Sequence, residues 1–78
     1  MTLLQLQYFK AICEYGSMSK AAEELYVSQP AISSSIKRLE ESLGMPLFER
    51  DSRFQLNAAG RYLYRNIDIL LQNIDEIK

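Results

Sequence analysis

The sequence predicts a mainly α-helical fold of the winged helix-turn-helix type: three helices and a two-stranded β-hairpin wing, followed by a long C-terminal helix. Three observations support this fold class. Apolar residues recur at helical spacing in four segments, most of which begin at a capping side chain. Only residues 26–28 separate the second and third segments, so these helices must cross at a steep angle. The alternating segment within residues 45–57 then indicates a small hairpin.

The first two helices are predicted from hydroxyl caps and helical spacing. Thr2 followed by Gln5 three residues later is a capping-box pattern, and Gly16 is a C-terminal stop. Either Ser17 or Ser19 can cap the second helix. Both helices then carry apolar or small residues on one face, which predicts that each packs against a shared core.

The third helix is expected over residues 28–43. Ser28 is the predicted N-cap, Pro30 falls in the first turn, where its missing N–H costs nothing, and Gly44 follows the end. A helical projection places four apolar side chains on one buried stripe: Ile32, Ile36, Leu39 and Leu43.

Three consecutive serines occupy this helix, although serine is a mediocre residue for a helix interior. Ser33 and Ser34 are predicted to lie on the exposed surface. Ser35 flanks the buried stripe, and we expect its hydroxyl to bond to the preceding turn.

The exposed N-terminal half of the third helix is suited to a DNA major groove, because its side chains are small or can form hydrogen bonds. Gln29 can pair with an adenine edge and Pro30 can touch a thymine methyl group. Ser33 or Ser34 can reach a base or a phosphate, and Lys37 would lie at the phosphates. The alternative is a solvated helix face that simply tolerates serine, and the residues alone leave both interpretations open.

Charge gives weak support for a nucleic-acid partner. The formal net charge is −1 and the isoelectric point is about 5.3, whereas nucleic-acid-binding domains are usually basic. Residues 28–65 nevertheless carry +2, against −1 for residues 1–27 and −2 for residues 66–78. The net charge therefore keeps open an alternative function, in which the same surface binds protein partners.

The last helix is predicted over residues 58–78, with Asn57 as its cap. It would be about 30 Å long. Five apolar residues recur at spacings of 4, 3, 4 and 3 and form a heptad seam: Leu63, Ile67, Leu70, Ile74 and Ile77. We expect a homodimer through this seam, whereas the alternative is that its first turns pack on the chain's own domain. The predicted division is a helix-turn-helix domain at residues 1–57 and a linker or dimerisation helix at residues 58–78.

Four motifs, in this order and spacing, carry a family resemblance: "SKAAEEL", "VSQPAIS", "LEESLGMPLFER" and "LNAAG". Over essentially its whole length the chain resembles the N-terminal DNA-binding domain of LysR-type transcriptional regulators. The resemblance implies sequence-specific binding of double-stranded DNA, as a homodimer on an inverted repeat. It also implies that the third helix enters the major groove and the wing lies near the minor groove.

The resemblance assigns roles to individual positions. Positions that read or approach bases are Gln29, Pro30 and Ser33. Positions on the phosphate side are Lys20, Ser28 and Lys37, and those on the wing are Arg50 and Arg53. The sequence departs from the family at Ser34, where arginine is usual, and at Ser35, where glutamine is common. The wing segment between Arg50 and Leu56 is also one residue shorter than usual.

Other functional classes have little support in the sequence. There is no histidine and no glycine-rich phosphate loop, so we expect neither an enzyme nor a cofactor or metal. Cys13, the single cysteine, is expected to be a core thiol rather than a redox sensor. No apolar run approaches the ~20 residues of a membrane span, so we expect no membrane association. The N-terminus does not resemble a secretory signal and one cysteine cannot form an internal disulfide, so we expect a cytoplasmic location. LysR-type regulators bind a small effector in a C-terminal domain, which we expect to be absent from this chain.

Overall fold

The computed structural model describes residues 1–49 and 55–77, with side chains described as far as residue 73. Five helices lie in these ranges: α1 (Leu3–Tyr15), α2 (Met18–Leu25), α3 (Gln29–Leu43), α4 (Ala58–Arg65) and α5 (Ile67–Ile77). No helix in the described ranges combines the length and the apolarity that crossing a bilayer requires. The predicted mainly helical class is confirmed.

The starts of α1 and α2 follow the predicted capping chemistry. Thr2 and Gln5 form a reciprocal capping box, in which each side chain accepts a hydrogen bond of 3.2 Å from the other residue's backbone N–H. At α2 the cap is Ser17, whose hydroxyl oxygen accepts from the N–H of Lys20 at 3.0 Å. The structure therefore selects Ser17 over Ser19.

Each of the first three helices ends on a residue in the left-handed conformation. Gly16 after α1 and Gly44 after α3 have φ of 79° and 74°, as expected for glycine stops. After α2 this conformation is adopted by Tyr26, with φ of 57°. Tyr26 is the one non-glycine residue with positive φ in the part of the chain that the structure describes.

The core forms where α1, α2 and α3 pack together. Ile32, Ile36 and Leu39 are buried and Leu43 is half-buried, so the predicted stripe of α3 is confirmed. From the other elements, the fully buried large side chains are Leu6, Phe9, Ile12, Leu47 and Ile67. The crossing of α2 and α3 thus rests on a shared apolar core, which holds the surface of α3 in a fixed orientation.

The two ends of the segment that was expected to form a hairpin pair with each other. Phe48 and Leu56 form an isolated antiparallel bridge, and the N–H of Glu49 donates to the carbonyl of Gln55 at 2.8 Å. The rings of Phe9 and Phe48 lie 5.8 Å apart in a tilted arrangement, which joins this segment to α1. The tip of the expected wing lies outside the described residues.

The single helix expected over residues 58–78 is not confirmed, because the structure divides it at Asn66. The N–H of Asn66 donates to the carbonyl of Leu63 at 3.1 Å, a closure over three residues that tightens the end of α4. Its own carbonyl accepts from the N–H of Leu70 at 3.0 Å and begins α5. Its side-chain amide donates to the carbonyl of Tyr62 at 2.8 Å.

The segments after residue 57 fold back onto the helix-turn-helix core. Leu63 and Ile67 are only 9% and 2% exposed and belong to the same core cluster as α1 and α3. Lys10 on α1 pairs with Asp68 on α5, with Nζ and Oδ1 at 2.7 Å. That hydrogen bond raises the pKa of Lys10 above its ordinary value. The first turns of the predicted seam therefore pack on the chain's own domain.

Candidate nucleic-acid interface

The N-terminal half of α3 lies on the surface, directly after the turn that joins it to α2. The Ser28 hydroxyl oxygen accepts from the N–H of Ala31 at 3.2 Å and caps the helix. Ser28 is exposed, and a hydroxyl that accepts one hydrogen bond can still donate its own proton. The cap therefore leaves Ser28 able to contact a phosphate oxygen.

The three residues predicted to read bases come together at this end of α3. Gln29, Pro30 and Ser33 are all exposed and line one open groove of about 380 Å³. Their spacing, one turn apart, places Gln29 and Ser33 on the same face of the helix. The geometry thus gives an exposed edge that carries an amide, a proline ring and a hydroxyl.

A second groove of about 340 Å³ runs beside this edge, between α2, α3 and the segment around Phe48. Ser33 and Lys37 line it from α3, and Met18 lines it from the first turn of α2. The carboxylate of Glu40 accepts from the N–H of Leu47 at 2.7 Å and holds that segment against α3. Met18 was not expected here from the sequence. The spacing could have indicated this position. Met18 is the first residue of α2 and lies four residues before the buried Ala22, so both residues are on the face of α2 that points toward α3 and the core.

The serine triplet divides largely as predicted. Ser33 and Ser34 are exposed, and Ser35 is half-buried. The expected bond from the Ser35 hydroxyl to the preceding turn is not formed with any described residue. The helix serine that does bond backward is Ser42, whose hydroxyl donates to the carbonyl of Leu39 at 2.9 Å.

The cations predicted at the phosphates differ in their surroundings. Lys20 is exposed and lies 3.5 Å from a carboxylate oxygen of Glu24 one turn later on α2. Exposed pairs of this kind contribute roughly 0–1 kcal/mol, so Lys20 can exchange this partner for a phosphate. Lys37 is exposed on α3. Arg50 and Arg53 lie outside the described residues.

The predicted dimerisation seam meets an apolar groove of about 390 Å³ between the end of α3 and the last two helices. Leu70 lines this groove together with Leu63, Leu43, Met1, Met45, Leu47, Ala59 and Tyr62. Leu63 and Ile67 are already buried within the chain, whereas Leu70 is half-buried and is the first seam residue with a substantial exposed fraction. The side chains of Ile74 and Ile77 lie outside the described part of the chain.

Cys13 is half-buried on α1 and packs against the core cluster. Burial, and to a smaller extent the nearby charge of Glu14, raises the pKa of its thiol to about 12. The thiol is therefore neutral near pH 7 and a weak nucleophile, as expected for a core thiol.

Two helices joined by a three-residue turn, with the start of the second exposed for contact, define a helix-turn-helix protein. The family model described as bacterial regulatory helix-turn-helix protein, lysR family, matches residues 3–61. The chain belongs to this family, and the predicted resemblance is confirmed.

Known relatives agree with this assignment in sequence and in structure. The chain is 42% identical over 78 residues to the HTH-type transcriptional regulator YtlI of Bacillus subtilis (strain 168), matching 100% of this chain and 25% of the relative. It is 41% identical to a chain in the crystal structure of a BenM_DBD/catB site 1 DNA complex, with a TM-score of 0.87, covering 99% of this chain and 84% of that one. A CbnR_DBD–DNA complex matches at 38% identity and a TM-score of 0.85, covering 97% and 88%.

YtlI and BenM are both named as HTH-type transcriptional regulators, which agrees with the expectation that the chain is not an enzyme. The chain spans about a quarter of the length of the curated relatives it matches.

Proposed function

We propose that this chain is the DNA-binding domain of a LysR-family transcription regulator and reads double-stranded DNA by sequence through α3. The observation that carries the proposal is the convergence of Gln29, Pro30 and Ser33 on one exposed edge at the start of that helix. Small and amide-bearing side chains there suit close approach to base edges in a major groove. The similar structures solved with DNA support the same role.

Phosphate contacts would fix the orientation of the domain on the duplex. Lys37 is eight residues after Gln29, which corresponds to about 12 Å along the helix axis, the approximate width of the major groove. Lys37 can therefore reach a phosphate when Gln29 is at the bases. Ser28 and Lys20 are proposed phosphate contacts at the other end of the α2–α3 unit.

We also assign the segment within residues 45–57 to the wing. The bridge between Phe48 and Leu56 supports this role, because antiparallel pairing of two such residues is the base that a hairpin loop requires. Arg50 and Arg53 would lie on that loop and contact the adjacent minor groove or its phosphates.

The functional unit is proposed to be a homodimer on an inverted repeat, formed through the C-terminal helix. Leu70 at the apolar groove, followed by Ile74 and Ile77 at heptad spacing, supports this assembly. Two copies of α3 would then reach half-sites about 34–36 Å apart or a multiple of that distance.

A salt series tests the proposed function directly. Fluorescence anisotropy with a labelled duplex should show log K falling linearly with log salt, by about 0.9 for each phosphate contact. Lys37→Gln should reduce that slope by about one, whereas Arg65→Gln, an exposed cation on α4, should leave it unchanged. Absence of binding at low salt, with the dimer shown to be intact, would contradict the proposal.

The alternative function, a protein-interaction module, is favoured by the net charge of −1 and by the wholly apolar lining of the groove at Leu70. It predicts self-association or partner binding that persists at high salt, without DNA binding at low salt. The same salt series, run beside analytical ultracentrifugation, separates the two functions.

Ser34→Arg is expected to change the preferred DNA sequence at one base pair in each half-site. Ser34 is exposed on α3, and an arginine there could form a bidentate pair with guanine if this part of the helix lies in the groove. Such a pair gives about 1–3 kcal/mol of discrimination, roughly 5- to 150-fold in affinity. Selection from a random duplex pool measures the change.

Ser42→Arg is the matched control for that experiment, because it adds the same charge near the opposite end of α3. It should leave the selected sequence as it was. Identical selected sites for Ser34→Arg and the unmodified chain would show that position 34 does not face a base.

A further inference from the structure

Tyr26, in the turn between α2 and α3, has a conformation and an exposure that folding does not explain. Its backbone is left-handed, with φ of 57° and ψ of 40°, and its side chain is 94% exposed. A side chain on Cβ disfavours this backbone region, which is why glycine is usual there. Gly16 and Gly44 hold the two equivalent helix ends of the same chain.

The folded chain gains little from the tyrosine side chain. The capping function needs only the backbone, since the Tyr26 N–H donates to the carbonyl of Glu23 at 3.3 Å. Glycine would supply that N–H without the conformational penalty. A tyrosine that is almost fully in solvent presents both an apolar ring and a hydroxyl, the combination that enriches tyrosine at interfaces with other molecules.

The position of Tyr26 beside the start of α3 indicates that this other molecule is DNA. Tyr26 lies two residues before the Ser28 cap and three before Gln29, and three residues of chain span at most about 10 Å. If Gln29 reaches a base edge, the Tyr26 phenol is within reach of the sugar-phosphate backbone that borders the groove. A phenol hydroxyl is a hydrogen-bond donor, and tyrosine is among the residues that contact DNA phosphates.

The surrounding charge also fits an uncharged donor. Glu23 and Glu24 are exposed in the last turn of α2 and would repel a nearby phosphate. Lys20 pairs with Glu24, so part of the positive charge of Lys20 is offset within α2. A hydroxyl at Tyr26 would provide an attractive contact on this side of the turn.

We propose that Tyr26 is a DNA contact whose phenol hydroxyl donates a hydrogen bond to a phosphate oxygen beside the start of α3. This inference rests on the proposed DNA-binding function and adds a residue to it. Because the contact is to the backbone, it strengthens binding to every sequence about equally. Because the phenol is uncharged, it leaves the salt slope unchanged.

Two variants of the 78-residue chain test this contact by anisotropy, on the selected duplex and on a scrambled duplex. Tyr26→Phe removes only the hydroxyl and should weaken binding to both duplexes by about 10- to 150-fold, the range for a hydrogen bond to a charged acceptor. Tyr26→Gly should weaken binding to both duplexes at least as much as Tyr26→Phe does, while the melting temperature of the chain stays equal or rises. Tyr15→Phe, on a tyrosine 45% exposed at the end of α1, is the control and should bind like the unmodified chain.

The outcomes separate this contact from the function on which it rests. Unchanged affinity in both Tyr26 variants overturns the contact while DNA binding by the chain stands. Weaker binding to the selected duplex alone also overturns it, because the tyrosine would then read a base. If the unmodified chain binds neither duplex, the proposed function fails, and the contact fails with it.

Discussion

Gly60→Ala is expected to lower the free energy of unfolding by about 3 kcal/mol, toward the upper end of what overpacking costs. For a domain of this size that corresponds to a fall in melting temperature of roughly 12–24 °C. Gly60 is in the first turn of α4, where alanine would ordinarily favour the helix. Here alanine is expected to destabilise the fold instead, because a Cβ at residue 60 would collide with the backbone carbonyl oxygen of Leu47 and lie 2.9 Å from Cδ2 of Leu56.

The carbonyl of Leu47 cannot easily move away from such a Cβ. It accepts a hydrogen bond of 3.0 Å from the N–H of Asn57, and the Asn57 side chain in turn accepts from the N–H of Gly60 at 2.8 Å. A Cβ at position 60 therefore strains the segment at Leu47 and the Asn57 cap of α4 together. Thermal unfolding followed by circular dichroism measures the effect.

Gly44→Ala is the matched control for this substitution. A Cβ added at position 44 would meet open space, but the backbone there is left-handed, so alanine should cost only about 1–2 kcal/mol. A Gly60→Ala chain that melts within a few degrees of the unmodified chain, and above Gly44→Ala, would show that α4 does not pack this closely.

Gln29→Ala is expected to remove most of the sequence preference contributed by the first turn of α3. A glutamine paired with an adenine edge gives about 1–3 kcal/mol of discrimination, so affinity for the selected duplex should fall roughly 5- to 150-fold. Affinity for a scrambled duplex should change little, because Gln29 carries no charge. Fold stability should also be preserved, since Gln29 is exposed and alanine is a good helix former.

Competition anisotropy at one salt concentration measures the ratio of the affinities for the selected and the scrambled duplex. Gln7→Ala, which removes an exposed glutamine from α1, should leave both affinities unchanged. An equal loss on the selected and the scrambled duplex would assign Gln29 to phosphate binding and contradict base reading.

The elements that were predictable from the sequence are those encoded by neighbouring residues. The capping box at Thr2 and Gln5, the Ser28 cap and the stripe of Ile32, Ile36 and Leu39 depend on spacings of three and four, and the structure confirms each. The grouping of Gln29, Pro30 and Ser33 follows from the same periodicity, because residues one turn apart share a face. Family membership came from motifs whose order extends over the whole chain.

What the sequence did not reveal depends on contacts between distant segments. The heptad spacing of Leu63 and Ile67 is compatible with a partner helix, and only their place in the core cluster shows that the chain buries them itself. The division at Asn66 has a similar origin, because a continuous helix and an interrupted one share the same apolar spacing. Tyr26 was missed because no local pattern distinguishes a left-handed tyrosine from an ordinary loop residue.

The central claim is that the exposed start of α3 contacts DNA, and amide chemical-shift mapping tests it most directly. The ¹⁵N-labelled chain would be titrated with the selected duplex and followed by heteronuclear NMR. We expect the largest shifts at residues 26–37 and smaller ones along α1, which packs behind α3. Unchanged amides at residues 26–37, with shifts confined to the groove at Leu70, would contradict the claim.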